Sequence, residues 1–222
     1  MLLEKGADVN SNALQAACFR GHEKLVAMLL DKGADVNSDA LQAACSGGQE
    51  KLATMLLEKG ADINAEGGLY GGALQAACSG GYEKLAAMLL EKGANINAKG
   101  GCYGGALHAA CSGGYEKLAA MLLEKGADIN IKDEHYGRAL QAACSGDHEK
   151  LAAMLLEQGA DINAKGGRYG GALQAACLGG YEKLVAMLLE KGADINTKGR
   201  CQQRCAPGCL LRRPREASGD AA

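Results

Sequence analysis

The sequence predicts an all-α solenoid of stacked helix-turn-helix units, and three observations predict it. The block Ala-Leu-Gln-Ala-Ala-Cys begins at Ala13, Ala40, Ala73, Ala139 and Ala172, with a His variant at Ala106; the first step is 27 residues and every later one is 33. A fixed period in this range marks supersecondary units that are each too small to bury an apolar face alone. Each block runs into one or two glycines and then a stretch such as Leu85, Ala86, Met88, Leu89 and Leu90, whose three-and-four spacing makes one helical stripe. Trp is absent and Phe19 is the single Phe, so the core must be Ala, Leu, Met and Cys, which suits helices packed closely together.

Charge and hydropathy narrow the class. The formal net charge is −2 and the pI about 6.1, without the basic field that nucleic-acid binding requires. No window approaches the ~20 apolar residues of a membrane span. The opening Met1-Leu2-Leu3-Glu4-Lys5-Gly6 lacks the basic-then-apolar build of a secretory signal. These features read as a soluble chain of the cytosol or nucleus. Of the ten cysteines, Cys18, Cys45, Cys78, Cys111, Cys144 and Cys177 sit at one place in successive units. Stacked units lie roughly 10 Å apart, beyond the ~7 Å Cα limit of a disulfide. All six are expected to be small buried hydrophobes in a reducing compartment.

Taken in chain order, residues 1–12 read as a partial unit, because Met1-Leu2-Leu3 aligns with Met28-Leu29-Leu30 in the last turns of a second helix. Residues 13–198 hold six helix pairs. The joints before Ala13 and Ala40 have two residues where the later joints have eight, so the excursion that precedes a helix pair is lost there while stacking survives. Ser11 or Asn12, and Ser38 or Asp39, offer N-caps at these joints. In the regular unit, Gly71-Gly72 leads into a short helix at Ala73-Leu74-Gln75-Ala76-Ala77-Cys78-Ser79. Gly80-Gly81 then breaks it, and a second helix spans about Tyr82 to Lys92. Gly93 stops that helix, and Lys99-Gly100-Gly101-Cys102-Tyr103-Gly104-Gly105 forms a Gly-rich excursion before the next.

Gly-x-Tyr-Gly-Gly-Ala-Leu-Gln-Ala-Ala, then Gly-(Tyr/His)-Glu-Lys-Leu, then Leu-Leu-Glu-Lys-Gly-Ala-Asp-Ile-Asn resembles the ankyrin repeat, in register from Met1 to about Lys198. The helix start departs from the family's usual Thr-Pro-Leu-His, losing a side-chain cap and a φ-fixing proline. The Ala-Leu-Gln-Ala-Ala version is similar to arrays of filamentous fungi, often joined to a nucleotide-binding (NACHT-type) signalling domain. The resemblance implies a solenoid with β-hairpin fingers, four of them intact here. It also implies protein–protein recognition through a concave face built from finger tips and first helices, without cofactor or metal.

The framework barely changes between units, and the differences collect at the fingers: Glu66 and Leu69; Lys99 and Cys102; Lys132, Asp133, Glu134, His135 and Arg138; Lys165 and Arg168. The row Gln15, Gln42, Gln75, His108, Gln141 and Gln174 adds a polar ladder suited to an extended backbone. These residues form the expected protein-binding surface. Catalysis finds no support, since the four histidines are scattered and neither a Ser/His/Asp order nor a phosphate loop occurs. The alternative is a structural spacer, or a self-associating fragment of a larger fungal signalling protein, with end-to-end contact between apolar helix faces.

After Lys198 the pattern disappears into Cys201-Gln-Gln-Arg-Cys205-Ala-Pro-Gly-Cys209-Leu-Leu-Arg-Arg-Pro-Arg. Three cysteines at four-residue steps could be a metal cluster, or residues 199–222 a disordered tail. The genetic code offers a third reading. If Cys201 to Leu210 is encoded TGT CAA CAG CGC TGC GCT CCA GGC TGC CTG, the next frame gives Val-Asn-Ser-Ala-Ala-Leu-Gln-Ala-Ala-Cys, the junction seen at Val9 and Val36. The tail is therefore read as an out-of-frame repeat; codons at Cys201 to Leu210 that cannot yield this string would remove the idea.

Overall fold

In a computed structural model, residues 11–132 and 138–196 are described, and they form twelve α-helices in six pairs. The first helices are α1 (Ser11–Arg20), α3 (Ser38–Ser46), α5 (Ala73–Ser79), α7 (Ala106–Ser112), α9 (Ala139–Ser145) and α11 (Ala172–Gly179). The second helices are α2 (Glu23–Asp31), α4 (Glu50–Glu58), α6 (Glu83–Glu91), α8 (Glu116–Glu124), α10 (Glu149–Glu157) and α12 (Glu182–Glu190). Each second helix packs on its own first helix, and the first helices stack one on the next from α1 to α11. The core is therefore a continuous ribbon. Its inner layer is the Ala-Leu-x-Ala-Ala-Cys face, and its outer layer is Leu52, Leu85, Leu118, Leu151 and Leu184 with the leucine one turn on, all fully buried.

Within a second helix only part of the predicted stripe is fully buried. Leu85, Ala86 and Leu89 are, whereas Met88 and Leu90 pack at the edge. The helix is one residue shorter at each end than expected, so Lys92 serves as C-cap; its N–H donates to the Met88 carbonyl, and the Gly93 N–H donates to the Leu90 carbonyl.

The two glycines between the helices have separate tasks. Gly80 has ordinary helical φ, −93°, and is small because a Cβ there would overlap the Tyr82 ring. Gly81 is the left-handed residue, φ 73°, and it also faces the Tyr115 ring of the following unit. Each ring at this position is thus wedged between glycines of two units: Tyr82 against Gly48 and Gly80, Tyr115 against Gly81 and Gly113, His148 against Gly114 and Gly146. One left-handed position holds a side chain. Asp147, at φ 59°, stands where Gly21, Gly48, Gly81, Gly114 and Gly180 stand elsewhere. Asp147→Gly should raise stability by about 0.5–1 kcal/mol, because a Cβ disfavours this backbone. The shift is read from the urea midpoint, with Asp147→Ala moving it the other way.

The finger-less joint keeps its stack, as α3 packs on both α1 and α5. Its cap differs from expectation. Neither Ser38 nor Asp39 caps α3; Asn37 does, its side chain accepting from the Ala40 N–H at 2.9 Å. Extended backbone at Asn37 starts the helix early, so Ser38 and Asp39 join it and α3 has nine residues against seven in α5. Helix α1 likewise includes Ser11 and Asn12.

Five of the six framework thiols are buried, and Cys177 is exposed, contrary to expectation. Each of the other first helices is packed against by the first helix of the following unit, whereas α11 has its main contacts with α9 and α12 among the described elements. The partial unit at residues 1–12 falls outside the described residues save for Ser11 and Asn12, and the out-of-frame tail lies wholly outside them.

Candidate protein-binding surface

The Asp-Ile-Asn run at the base of a finger, Asn95-Ile96-Asn97 before finger 98–105, does two jobs. Asp161 Oδ1 accepts from the Asn163 N–H at 3.0 Å, closing a tight local turn. Asn163 then reaches the next unit, where its Oδ1 accepts from the Asp194 N–H at 2.7 Å and its amide donates to the Gly192 carbonyl at 3.3 Å. Asn64 and Asn97 form the same two-bond clip onto the units that follow them. Every finger is therefore aimed from a base tied to its neighbour.

The fingers are tighter than β-hairpins. Each described tip is closed by a single antiparallel bridge, Gly67 with Gly71, Gly100 with Gly104 and Gly166 with Gly170. Glycines at both bridge positions and at the bend take left-handed φ, which leaves no run of extended residues to pair further. Fingers 65–72 and 98–105 touch directly: the Cys102 N–H donates to the Leu69 carbonyl at 2.8 Å. The Tyr70 and Tyr103 rings stack with centroids 6.3 Å apart. In finger 164–171 the Arg168 guanidinium lies over Tyr169 at 5.6 Å.

Gly101 makes this pairing possible. Its φ is 66°, and a Cβ would overlap the backbone of Tyr70 and Gly71, which cannot swing aside as a side-chain end could. Gly101→Ala should separate the two fingers at a local cost of about 1–2 kcal/mol. The Cys102 amide would then exchange faster and the tyrosine near-UV signal would weaken, with helical content unchanged.

The residues expected to form the surface divide into three groups. Glu66, Leu69, Lys99, Lys132, Lys165 and Arg168 are exposed at the tips, Leu69 by 55%. Cys102 and Arg138 are half-buried; Arg138 donates to the Asn130 carbonyl at 3.2 Å and to Lys165 of the next finger at 3.4 Å, tying two fingers together. Gln75, His108 and Gln141 are buried, so the middle of the polar ladder does not reach solvent. It does pair with extended backbone, but with the chain's own: Gln75 donates to Ala98 at 3.1 Å and Gln141 to Ala164 at 2.9 Å, each in the next finger. Gln174 is half-buried. Gln15, with no finger beside it, turns to Asp39 at 3.3 Å. Asp133, Glu134 and His135 lie outside the described residues. A cavity beside His108, lined also by Asp128 and Ile131, measures about 20 Å³, room for one water.

Sequence reasoning passed over Tyr70, Tyr103 and Tyr169. Their signal was the tyrosine recurring at the 33-residue step within a glycine-rich tip. These three rings are half-buried against the core, and Tyr70 and Tyr103 also stack on each other across two fingers.

This architecture agrees with the comparisons. The family model described as ankyrin repeats, three copies, matches residues 1–67, 70–133 and 134–199. The chain belongs to the ankyrin repeat family. The crystal structure of the human ASB11 ankyrin repeat domain is similar, with a TM-score of 0.70 and 26% sequence identity over 84% of this chain and 86% of that one. No curated protein sequence matches the chain. Among the described residues, no helix is long and apolar enough to cross a membrane.

Proposed function

We propose that this chain recognises a protein partner through its row of finger tips, without catalysis or cofactor, in the cytosol or nucleus. Ankyrin repeats in general mediate protein–protein interaction. The observation that carries the reading here is the contrast between a nearly constant stack and tips whose exposed residues differ: Glu66 and Leu69 in one, Lys99 in the next, Lys165 and Arg168 in another. Clips at Asn64, Asn97 and Asn163 hold these tips in fixed order, so little ordering entropy remains to be lost on binding. Buried Gln75 and Gln141 brace the following fingers from behind.

Selecting ligands from a displayed random-peptide library tests this. Selected peptides should lose affinity for Leu69→Asp and Arg168→Ala, and keep it for Lys84→Glu and Lys117→Glu on the second helices. Ligands that respond only to the second-helix changes would place recognition on the other face and end the reading.

A second reading, a spacer or self-associating segment of a larger signalling protein, draws on the end faces of the described array. Leu25 and Met28 are 42% and 51% exposed at one end, and Leu178 is 60% exposed at the other. Sedimentation separates the two: open-ended, concentration-dependent oligomers favour self-association, and a monomer that binds finger-dependent peptides favours the module.

A further inference from the structure

Finger 98–105 seats on finger 65–72 through three contacts. The Cys102 N–H donates to the Leu69 carbonyl at 2.8 Å, the Tyr103 ring stacks on Tyr70, and Gly101 faces the backbone of Tyr70 and Gly71. Finger 65–72 carries the same elements one unit earlier, as Leu69, Tyr70 and Gly68. No finger precedes it, because the joint before Ala40 is short. Its leading edge is therefore open. The Leu69 N–H, counterpart of the Cys102 N–H, meets no acceptor among the described residues. A Cβ at Gly67 would meet nothing within 4 Å, whereas one at the equivalent Gly100 would meet Gly71 Cα at 3.5 Å. Tyr70 is half-buried, and Leu69 is exposed.

The start of α3 forms the floor of the vacated place. Two side-chain oxygens, Gln42 Oε1 and Asp39 Oδ1, lie 2.9 and 3.2 Å from where a Gly68 Cβ would stand. Gln42 is 4% exposed and its Nε2 makes no hydrogen bond, although Gln75 and Gln141 each donate to the finger that follows them. Rotating that amide about χ3 exchanges its two polar atoms and turns the unmet donor toward Gly68. Asp39 is half-buried, accepts from Gln15 at 3.3 Å and has no cation within ion-pair distance among the described residues. Glu66 stands exposed on the same finger. A buried donor without an acceptor and a half-buried carboxylate without a cation both favour an occupant that brings carbonyls and positive charge.

We propose that the open edge of finger 65–72 binds an extended, basic partner segment containing an aromatic residue followed by glycine, laid where the missing finger would lie. The carbonyl before the aromatic residue accepts from the Leu69 N–H, as the Leu69 carbonyl accepts from Cys102. The ring stacks on Tyr70. The glycine allows the close approach to Gly67 that Gly71 makes to Gly100, where a Cβ on Gly71 would overlap the backbone. Cationic side chains of the segment offset Asp39 and Glu66. Main-chain hydrogen bonds recruit a segment to an open edge, and its side chains select which one. The proposal rests on the finger-recognition reading and names one partner class for it.

The test uses the full chain and a labelled peptide Lys-Gly-Gly-Arg-Tyr-Gly-Gly, the sequence of residues 165–171. Two control peptides carry Ser for the Tyr, or Glu for both basic residues. By fluorescence anisotropy the first peptide should bind at least about fivefold more tightly than either control. Amide exchange at Leu69 should slow on binding, while that at Cys102, already bonded, stays the same. Replacing Ser38-Asp39 by a copy of residues 98–105 restores a finger in the vacated place. That graft should protect the Leu69 amide without peptide and weaken peptide binding about tenfold or more, with an unchanged helical CD spectrum. Asp39→Asn, which leaves the Asn37 cap in place, should weaken binding about threefold, and Glu91→Gln on α6 should stay within about twofold. Unchanged exchange at Leu69, binding that survives the graft, equal binding of the controls or no loss in Asp39→Asn overturns the proposal. Concentration-dependent dimers of the unmodified chain that the graft abolishes overturn it in favour of a second copy's finger. If library-selected ligands depend on Leu69 and Arg168 while exchange at Leu69 never changes, the edge site fails and the recognition reading stands; if no ligand depends on any finger, both fall.

Discussion

Raising the pH above 9 should unfold this protein steeply and cooperatively. Cys18, Cys45, Cys78, Cys111 and Cys144 are sealed in the ribbon core, and burial raises each thiol from its ordinary 9.0, to about 11 for Cys18 and about 12 for Cys45 and Cys144. Cys78 and Cys111 are raised further, first by desolvation and then by neighbouring thiols of the row. In the unfolded chain all five ionise near 9.0, so the folded state binds more protons in this range and stability falls as pH rises. The stability is fully present below about 9 and is lost progressively through about 12. Each thiol contributes a slope of about 1.4 kcal/mol per pH unit, and five acting together give about 7. Urea midpoints between pH 8 and 10.5 under reducing agent measure it. Cys111→Ala should remove about one-fifth of the slope, which separates the thiols from every other group titrating there. An unchanged slope in that variant would refute the account.

Leu118→Ala should destabilise the array by about 3 kcal/mol, the usual loss for a fully buried leucine with its cavity. Leu118 is 0% exposed on α8, in the fourth of six helix pairs, so the lesion lies inside the ribbon. Stability in a repeat array is a sum of unit and nearest-neighbour terms, and a weak central unit uncouples the two sides. The urea transition should therefore broaden as well as shift. Leu184→Ala, in the last described pair, removes the same side chain but should fray one end and leave the main transition sharp. Equal broadening in both variants would mean the array unfolds as a single cooperative block.

Much of this was legible in the sequence because the repeat is nearly perfect. The 33-residue step, the glycine breaks and the leucine stripe each recur, so six units vote on one structure. The short joint before Ala40 was read correctly as loss of a finger without loss of stacking, while the joint before Ala13 follows residues outside those described. The cap before Ala40 was not, because Asn37, Ser38 and Asp39 are all good cap formers and only the chain path out of α2 selects Asn37. The buried thiols were read as a class; Cys177 departed from it because burial depends on what covers a helix, and that is a property of the neighbour.

The candidate surface was half legible. Tips that vary within a constant framework identified Glu66, Leu69, Lys99, Lys132, Lys165 and Arg168 as outward residues. Gln75, His108 and Gln141 vary little and are polar, a pattern shared by a ligand ladder and by an internal brace. The carbonyls of Ala98 and Ala164 decide for the brace at Gln75 and Gln141.

The sequence by itself determined the fold class, the unit, the number of helix pairs and the place of each glycine break, because these follow from local backbone preference and one repeated apolar stripe. Only the tertiary structure decided which polar residues face inward, that the fingers interlock at Gly101, and that the rings at Tyr82, Tyr115 and His148 wedge between units. Those outcomes depend on atoms from adjacent repeats meeting in space. Spacing along the chain specifies that two units are neighbours; it does not specify which of their atoms touch.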